Sequence, residues 1–86
     1  MDYQDKFKTV LLASPHCNLG KKGITDEFIK HVLKLLKRYK IIKIKALKTV
    51  ASKSNIKQLA IEISELTDSY VLDVRGKMII LGKNKI

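Results

Sequence analysis

The chain is poor in the residues that build catalytic and metal centres. Its single cysteine, Cys17, excludes an intramolecular disulfide framework. With only His16 and His31 besides, no set of Cys and His has zinc-ligand spacing. His16 and Cys17 are adjacent, so along a strand they point to opposite faces and cannot act together. Acidic residues number eight and lie mostly away from the basic region, which leaves a two-carboxylate or metal-assisted nuclease without support. Tryptophan is absent and aromatics make up 6%. Phe28 belongs to the core and Tyr39 and Tyr70 to core or rim, and no aromatic pair stands on one strand face as a platform for stacked bases. No apolar run exceeds the length of Met78 to Leu81, far below the roughly 20 residues that span a bilayer. The opening MDYQDKFK is polar and has no apolar signal region. The expectation is a cytoplasmic, non-enzymatic protein without membrane attachment, small-molecule substrate, cofactor or metal.

What the chain has is positive charge. Eighteen Lys and Arg against eight Asp and Glu give a net +10 over 86 residues. A small domain this basic carries the electrostatic footprint of a nucleic-acid binder. The charge is also polarised. No acid occurs from Phe28 to Ile61, while Lys30, Lys34, Lys37, Arg38, Lys40, Lys43, Lys45, Lys48, Lys53 and Lys57 fall in that stretch. Lys30–Lys34 and Lys34–Arg38 are like-charged pairs at helical i, i+4 spacing, each unfavourable by roughly 0.2–0.5 kcal/mol. A polyanion supplies a reason for them, because each neutralised phosphate releases counterions. A merely solvated lysine face is the alternative. Only Arg38 and Arg75 are arginine, which argues against base-edge reading through guanidinium forks.

The length suits one domain, residues 1–86. Phe7, Val10 and Leu11 fall at i, i+3 and i+4, with Leu12 beside them, and predict a helix over Asp2 to Ala13, stopped by Pro15. His16 to Leu19 reads as a strand. Thr25 caps a strongly amphipathic helix, Asp26 to Tyr39, with Phe28, Ile29, Val32, Leu33, Leu35 and Leu36 inward and Lys30, Lys34, Lys37 and Arg38 outward. Ile41 to Leu47 alternates as a strand, with Ile42, Ile44 and Ala46 on one face and Lys43 and Lys45 on the other. A loop over Thr49 to Ser54, with Ser52 or Ser54 as cap, leads to a helix carrying Ile56, Leu59, Ala60, Ile63 and Leu66. Two apolar strands flanking Arg75-Gly76 read as a hairpin. The predicted fold is α/β, a two-layer sandwich of order (α)βαβαββ with helices covering a four-stranded mixed sheet.

Gly20-Lys21-Lys22-Gly23 sits between the first strand and the capped helix. Glycines let a backbone approach a phosphate, and exposed amides before a helix attract anions. A turn that needs positive φ is the plainer reading. The spacing between the glycines is too short for a P-loop. Asp26 and Glu27 oppose an anion on the helix axis, so a phosphate is expected over Lys21 and Lys22 at the loop tip.

In sequence, P-x-x-x-L-G-K-K-G-I-T-D-E-F-I (Pro15 to Ile29), Y-K-I-I-K-I-K-A-L (Tyr39 to Leu47) and T-D-S-Y-V-L-D-V-R-G-K-M-I-I-L-G-K (Thr67 to Lys83) together resemble the CRM domain, whose bacterial single-domain members are called YhbY. Pro15, Gly20, Lys21, Gly23, Thr25, Ile42, Lys43, Ile44, Lys45 and Gly76 occupy the pattern's positions. The chain reads Thr67-Asp68 where bacterial members usually have Thr-Gly, and Leu81-Gly82-Lys83 where they often have Leu-Tyr-Arg. The resemblance implies a fold similar to the C-terminal domain of bacterial translation initiation factor three. It also implies RNA binding, in bacteria on precursors of the large ribosomal subunit, with the GxxG loop at the RNA.

The expected function is non-catalytic binding of structured ribosomal RNA or pre-ribosomal particles. The expected contacts are Gly20, Lys21, Lys22 and Gly23 in the loop, Lys30, Lys34, Lys37 and Arg38 along the helix, and Lys43 and Lys45 widening the track on the sheet. Two other readings remain open: a DNA or chromatin binder of the Alba type, which shares this general shape, and an interaction module for an acidic protein.

Overall fold

The computed structural model describes residues 2–47 and 55–85. The expected loop over Thr49 to Ser54, its capping serines, and Lys48 and Lys53 lie outside the described residues.

The central layer is a four-stranded mixed sheet of order β1-β2-β4-β3, formed by β1 (Cys17–Leu19), β2 (Ile41–Ala46), β3 (Tyr70–Arg75) and β4 (Met78–Gly82). β1 runs parallel to β2, and the two β4 pairings are antiparallel. The alternation read in β2 sorts the sheet's two faces. Ile42, Ile44 and Ala46 join Leu19, Ile79 and Leu81 in the main core. Covering them are Val32 and Leu36 of α2 (Asp26–Tyr39) and Ile56, Ala60 and Ile63 of α3 (Ile56–Leu66). Each fully buried aliphatic side chain of this kind contributes about 1.5–3 kcal/mol.

α2 begins as its cap residue dictates: the Thr25 Oγ1 accepts the Phe28 N–H at 3.1 Å. Asp26 and Glu27 occupy the first turn and Lys37 and Arg38 the last, the arrangement that the helix dipole favours. α3 keeps Leu66 more than half exposed at its end, so that residue is not part of the core face that its spacing suggested.

α1 (Tyr3–Leu12) lies on the opposite side of the sheet and adds a partial third layer to the two-layer sandwich. Val10 packs with Ile41 of β2 and Ile80 of β4, and Tyr3, Phe7, Leu11 and Leu72 close around them. Leu12, grouped with this face by sequence, is 91% exposed. The Asp2 carboxylate caps the helix by accepting the Asp5 N–H at 2.8 Å. Two polar contacts then fix it. The Tyr3 hydroxyl donates to the Asn84 carbonyl at 2.6 Å and accepts the Asn84 N–H at 2.9 Å. The Lys43 ammonium donates to the carbonyls of Leu11 and Ala13, each at 2.9 Å.

Both departures from the CRM pattern have structural reasons. Asp68, where a glycine is usual, has φ +51°, a conformation open to Asp at modest strain. A Cβ at Gly82 would collide with the Tyr3 hydroxyl and approach Leu72 Cδ1 to 2.6 Å. Tyr3 from α1 and Leu72 fill the space that a side chain at Gly82 would need. The hairpin turn also differs from expectation by one residue. Arg75 pairs with Met78, so the turn is Gly76-Lys77, with Gly76 at φ +57°.

Lys43→Met is expected to destabilise the domain by about 1–3 kcal/mol, because two charge-assisted hydrogen bonds to the end of α1 are lost. Urea unfolding measures the loss, and amide exchange should rise first in α1.

Candidate nucleic-acid interface

Gly20 to Gly23 form one tight turn, closed by the Gly23 N–H donating to the Gly20 carbonyl at 2.9 Å. Lys21 and Lys22 are its two central residues and both are exposed. The glycines are not equivalent. Gly23 has φ +72°, where a side chain is strained. A Cβ at Gly20 would meet only Leu47 Cδ1, at 4.0 Å, an ordinary contact. The turn therefore accounts for Gly23, and its amide is engaged within the turn. The Lys21 and Lys22 side chains stand exposed at the tip of the turn.

Two residues later α2 starts, and its outward face continues the charge. Lys30, Lys34, Lys37 and Arg38 are all exposed. The one ion pair among the described residues lies elsewhere, between Arg75 and Asp73 at 2.6 Å. The helix face is thus a row of cations, and among the described residues none of them forms an ion pair, although Asp26 and Glu27 stand in the first turn of the same helix. Leu33, assigned by periodicity to the inner face, is 44% exposed beside this row.

The expectation that Lys43 and Lys45 widen the same track is corrected. Both point to the sheet face opposite α2, as the burial of Ile42, Ile44 and Ala46 requires. Lys43 is half-buried and its ammonium is held by α1. Lys45 is exposed in register with Asn18 and Met78, on a separate surface.

The structure adds a cluster that single-strand patterning missed, because its members come from different elements. The rings of His16 and Tyr39 lie 4.9 Å apart, tilted by 53°. The Arg38 guanidinium lies 5.3 Å from the centre of the Tyr39 ring. His16 is locked from behind: its Nδ1 accepts the Lys43 N–H at 3.0 Å, and its own N–H donates to the Lys43 carbonyl at 2.8 Å. Burial lowers the His16 pKa below 6.5. Burial likewise pushes the Cys17 thiol up to about 11, so it is mostly un-ionised at neutral pH and a weak nucleophile.

Among the described residues no group of three or more His, Cys, Asp or Glu is placed to hold a metal ion. No helix among them is long and apolar enough to cross a membrane. Two open grooves flank β3, one lined by Lys57, Ile61, Val71, Asp73 and Val74 and one by Tyr70, Val71, Leu72 and Lys85. Neither includes a residue of the loop or of α2.

Residues 8–83 match the model of the CRS1/YhbY (CRM) domain family. Among solved structures, the chain is similar to a Staphylococcus aureus protein whose solution structure describes it as a hypothetical protein and candidate RNA binder. The TM-score is 0.78 and the identity 26%, covering 96% of this chain and 84% of that one. No significant match is found among curated proteins.

The His16 geometry sets a pH dependence. The unfolded imidazole takes a proton near pH 6.5, and the folded one only at lower pH. Stability from this site is complete above 6.5 and is lost as pH falls toward the folded pKa. Urea midpoints at pH 7.5 and 5.5 should therefore differ more in the parent protein than in His16→Gln.

Proposed function

We propose, from the premise that the chain belongs to the CRS1/YhbY (CRM) domain family, that it is a non-catalytic RNA-binding domain whose contact surface is the Gly20–Gly23 turn and the outer face of α2. The observation that carries this reading is the row of exposed cations on α2 without a carboxylate partner, continuing directly from the lysine-tipped turn. Its like-charged i, i+4 pairs oppose folding slightly, and RNA phosphate reverses that sign on binding. Lysines act as point charges without the planar fork of arginine, which suits backbone and shape recognition of structured RNA.

The family resemblance extends the proposal to ribosomal RNA, as a precursor of the large subunit. Crosslinking in cells followed by sequencing of the bound RNA tests that target: enrichment of large-subunit precursors is expected, and their absence from the bound RNA contradicts it. The Alba-type reading relies on a long final hairpin, whereas the β3–β4 hairpin closes through the two residues Gly76 and Lys77.

Replacing both Lys21 and Lys22 by Ala should weaken RNA binding at low salt. It should also reduce the slope of log affinity against log salt by about 1 for each lysine that contacts phosphate. An unchanged slope removes the turn from the interface.

A further inference from the structure

The basic face of α2 ends on a feature that charge neutralisation does not require. Arg38 is the single arginine of the row, and its guanidinium rests on the ring of Tyr39. Tyr39 is itself packed against the core and braced by His16. His16 cannot swing away, because its ring nitrogen and its backbone N–H both bond to Lys43 of the central strand. A planar cation thereby lies over a ring held in place by the core and His16, while Arg38 remains exposed. No carboxylate among the described residues lies within ion-pair distance of it.

We propose that Arg38 and Tyr39 form a stacking site for an unpaired RNA base, at the opposite end of the helix from the turn that holds phosphate. Unpaired bases stack on aromatic rings and on guanidinium planes alike. The site needs one flat cation beside an aromatic ring, and the lysines at the other positions of the row offer no planar group. Twelve residues of helix separate Asp26 from Arg38, a rise of roughly 18 Å. The ligand is therefore structured RNA in which phosphates near the turn and an unpaired base lie about that far apart, such as a helix interrupted by a bulge. The inference rests on the RNA-binding reading above and adds a selectivity that the lysines cannot give.

The test compares two RNA duplexes with the same number of base pairs, one fully paired and one carrying a single extra bulged nucleotide, against the full chain and Arg38→Lys, which retains the charge and so controls for the one added phosphate. The parent protein should bind the bulged RNA at least fivefold more tightly, since one stacked base contributes about 1–3 kcal/mol. Arg38→Lys keeps the charge and loses the plane. It should bring the ratio near one, with affinity for bulged RNA falling by more than affinity for paired RNA. Lys21→Ala/Lys22→Ala should weaken both RNAs and keep the ratio. With 5-bromouridine at the bulge, photocrosslinking should attach the RNA at Tyr39. Equal affinities in the parent protein, a ratio retained in Arg38→Lys, or a crosslink mapping away from Arg38 and Tyr39 each overturn the stacking site and leave the RNA-binding reading standing. Failure of the parent protein to bind either RNA overturns both.

Discussion

β2 carries a packed layer on each side along its first half, and the other elements take their places from it. Ile42, Ile44 and Ala46 face α2 and α3. On the reverse side Ile41 meets α1, and Lys43 reaches past it to the end of that helix. β2 also pairs with both β1 and β4. Its Lys43 backbone aligns His16 at the start of β1. β1 then delivers the chain to the glycine turn, and the turn to the cap of α2. The position of the basic surface is thus a consequence of how one strand is buried.

The same burial explains the segregation of charge on α2. So small a core needs the apolar stripe of the helix, with Val32 and Leu36 fully committed to it. The cations are left to the outer face, and among the described residues none of them forms an ion pair there. At an effective dielectric near that of a protein surface, such neighbours repel only modestly and salt screens them. The fold tolerates the arrangement, and cations placed this way release the counterions condensed on a polyanion when it binds. Lysine is not used uniformly, however. Lys43 serves α1, Lys45 lies on the far face of the sheet, and on the helix face the single arginine lies over an aromatic ring.

Local periodicity made much of this legible. The bounds of α2, its Thr25 cap and the two faces of β2 follow from patterns within a dozen residues, where one rule governs each position. Reading failed where two elements meet. Nothing in Asp2 to Ala13 says which sheet face α1 will cover, so Lys43 looked free when its ammonium ends that helix. Leu12, Leu33 and Leu66 satisfy or adjoin helical spacing, yet each is left exposed. His16 and Tyr39 are 23 positions apart in the numbering and come together only because β1 and α2 run back along one another. The turn shows a subtler limit. Its two glycines look alike in sequence, but only Gly23 needs the positive φ.

The central claim is that RNA lies along the turn and the outer face of α2. Titrating a structured RNA into isotope-labelled protein and following backbone amide resonances tests it most directly. Perturbations should concentrate at Gly20 to Gly23 and along the exposed side of α2 as far as Tyr39, with α3 and β3 unaffected. Perturbations centred on the α3–β3 groove, with the turn and α2 silent, would contradict the account.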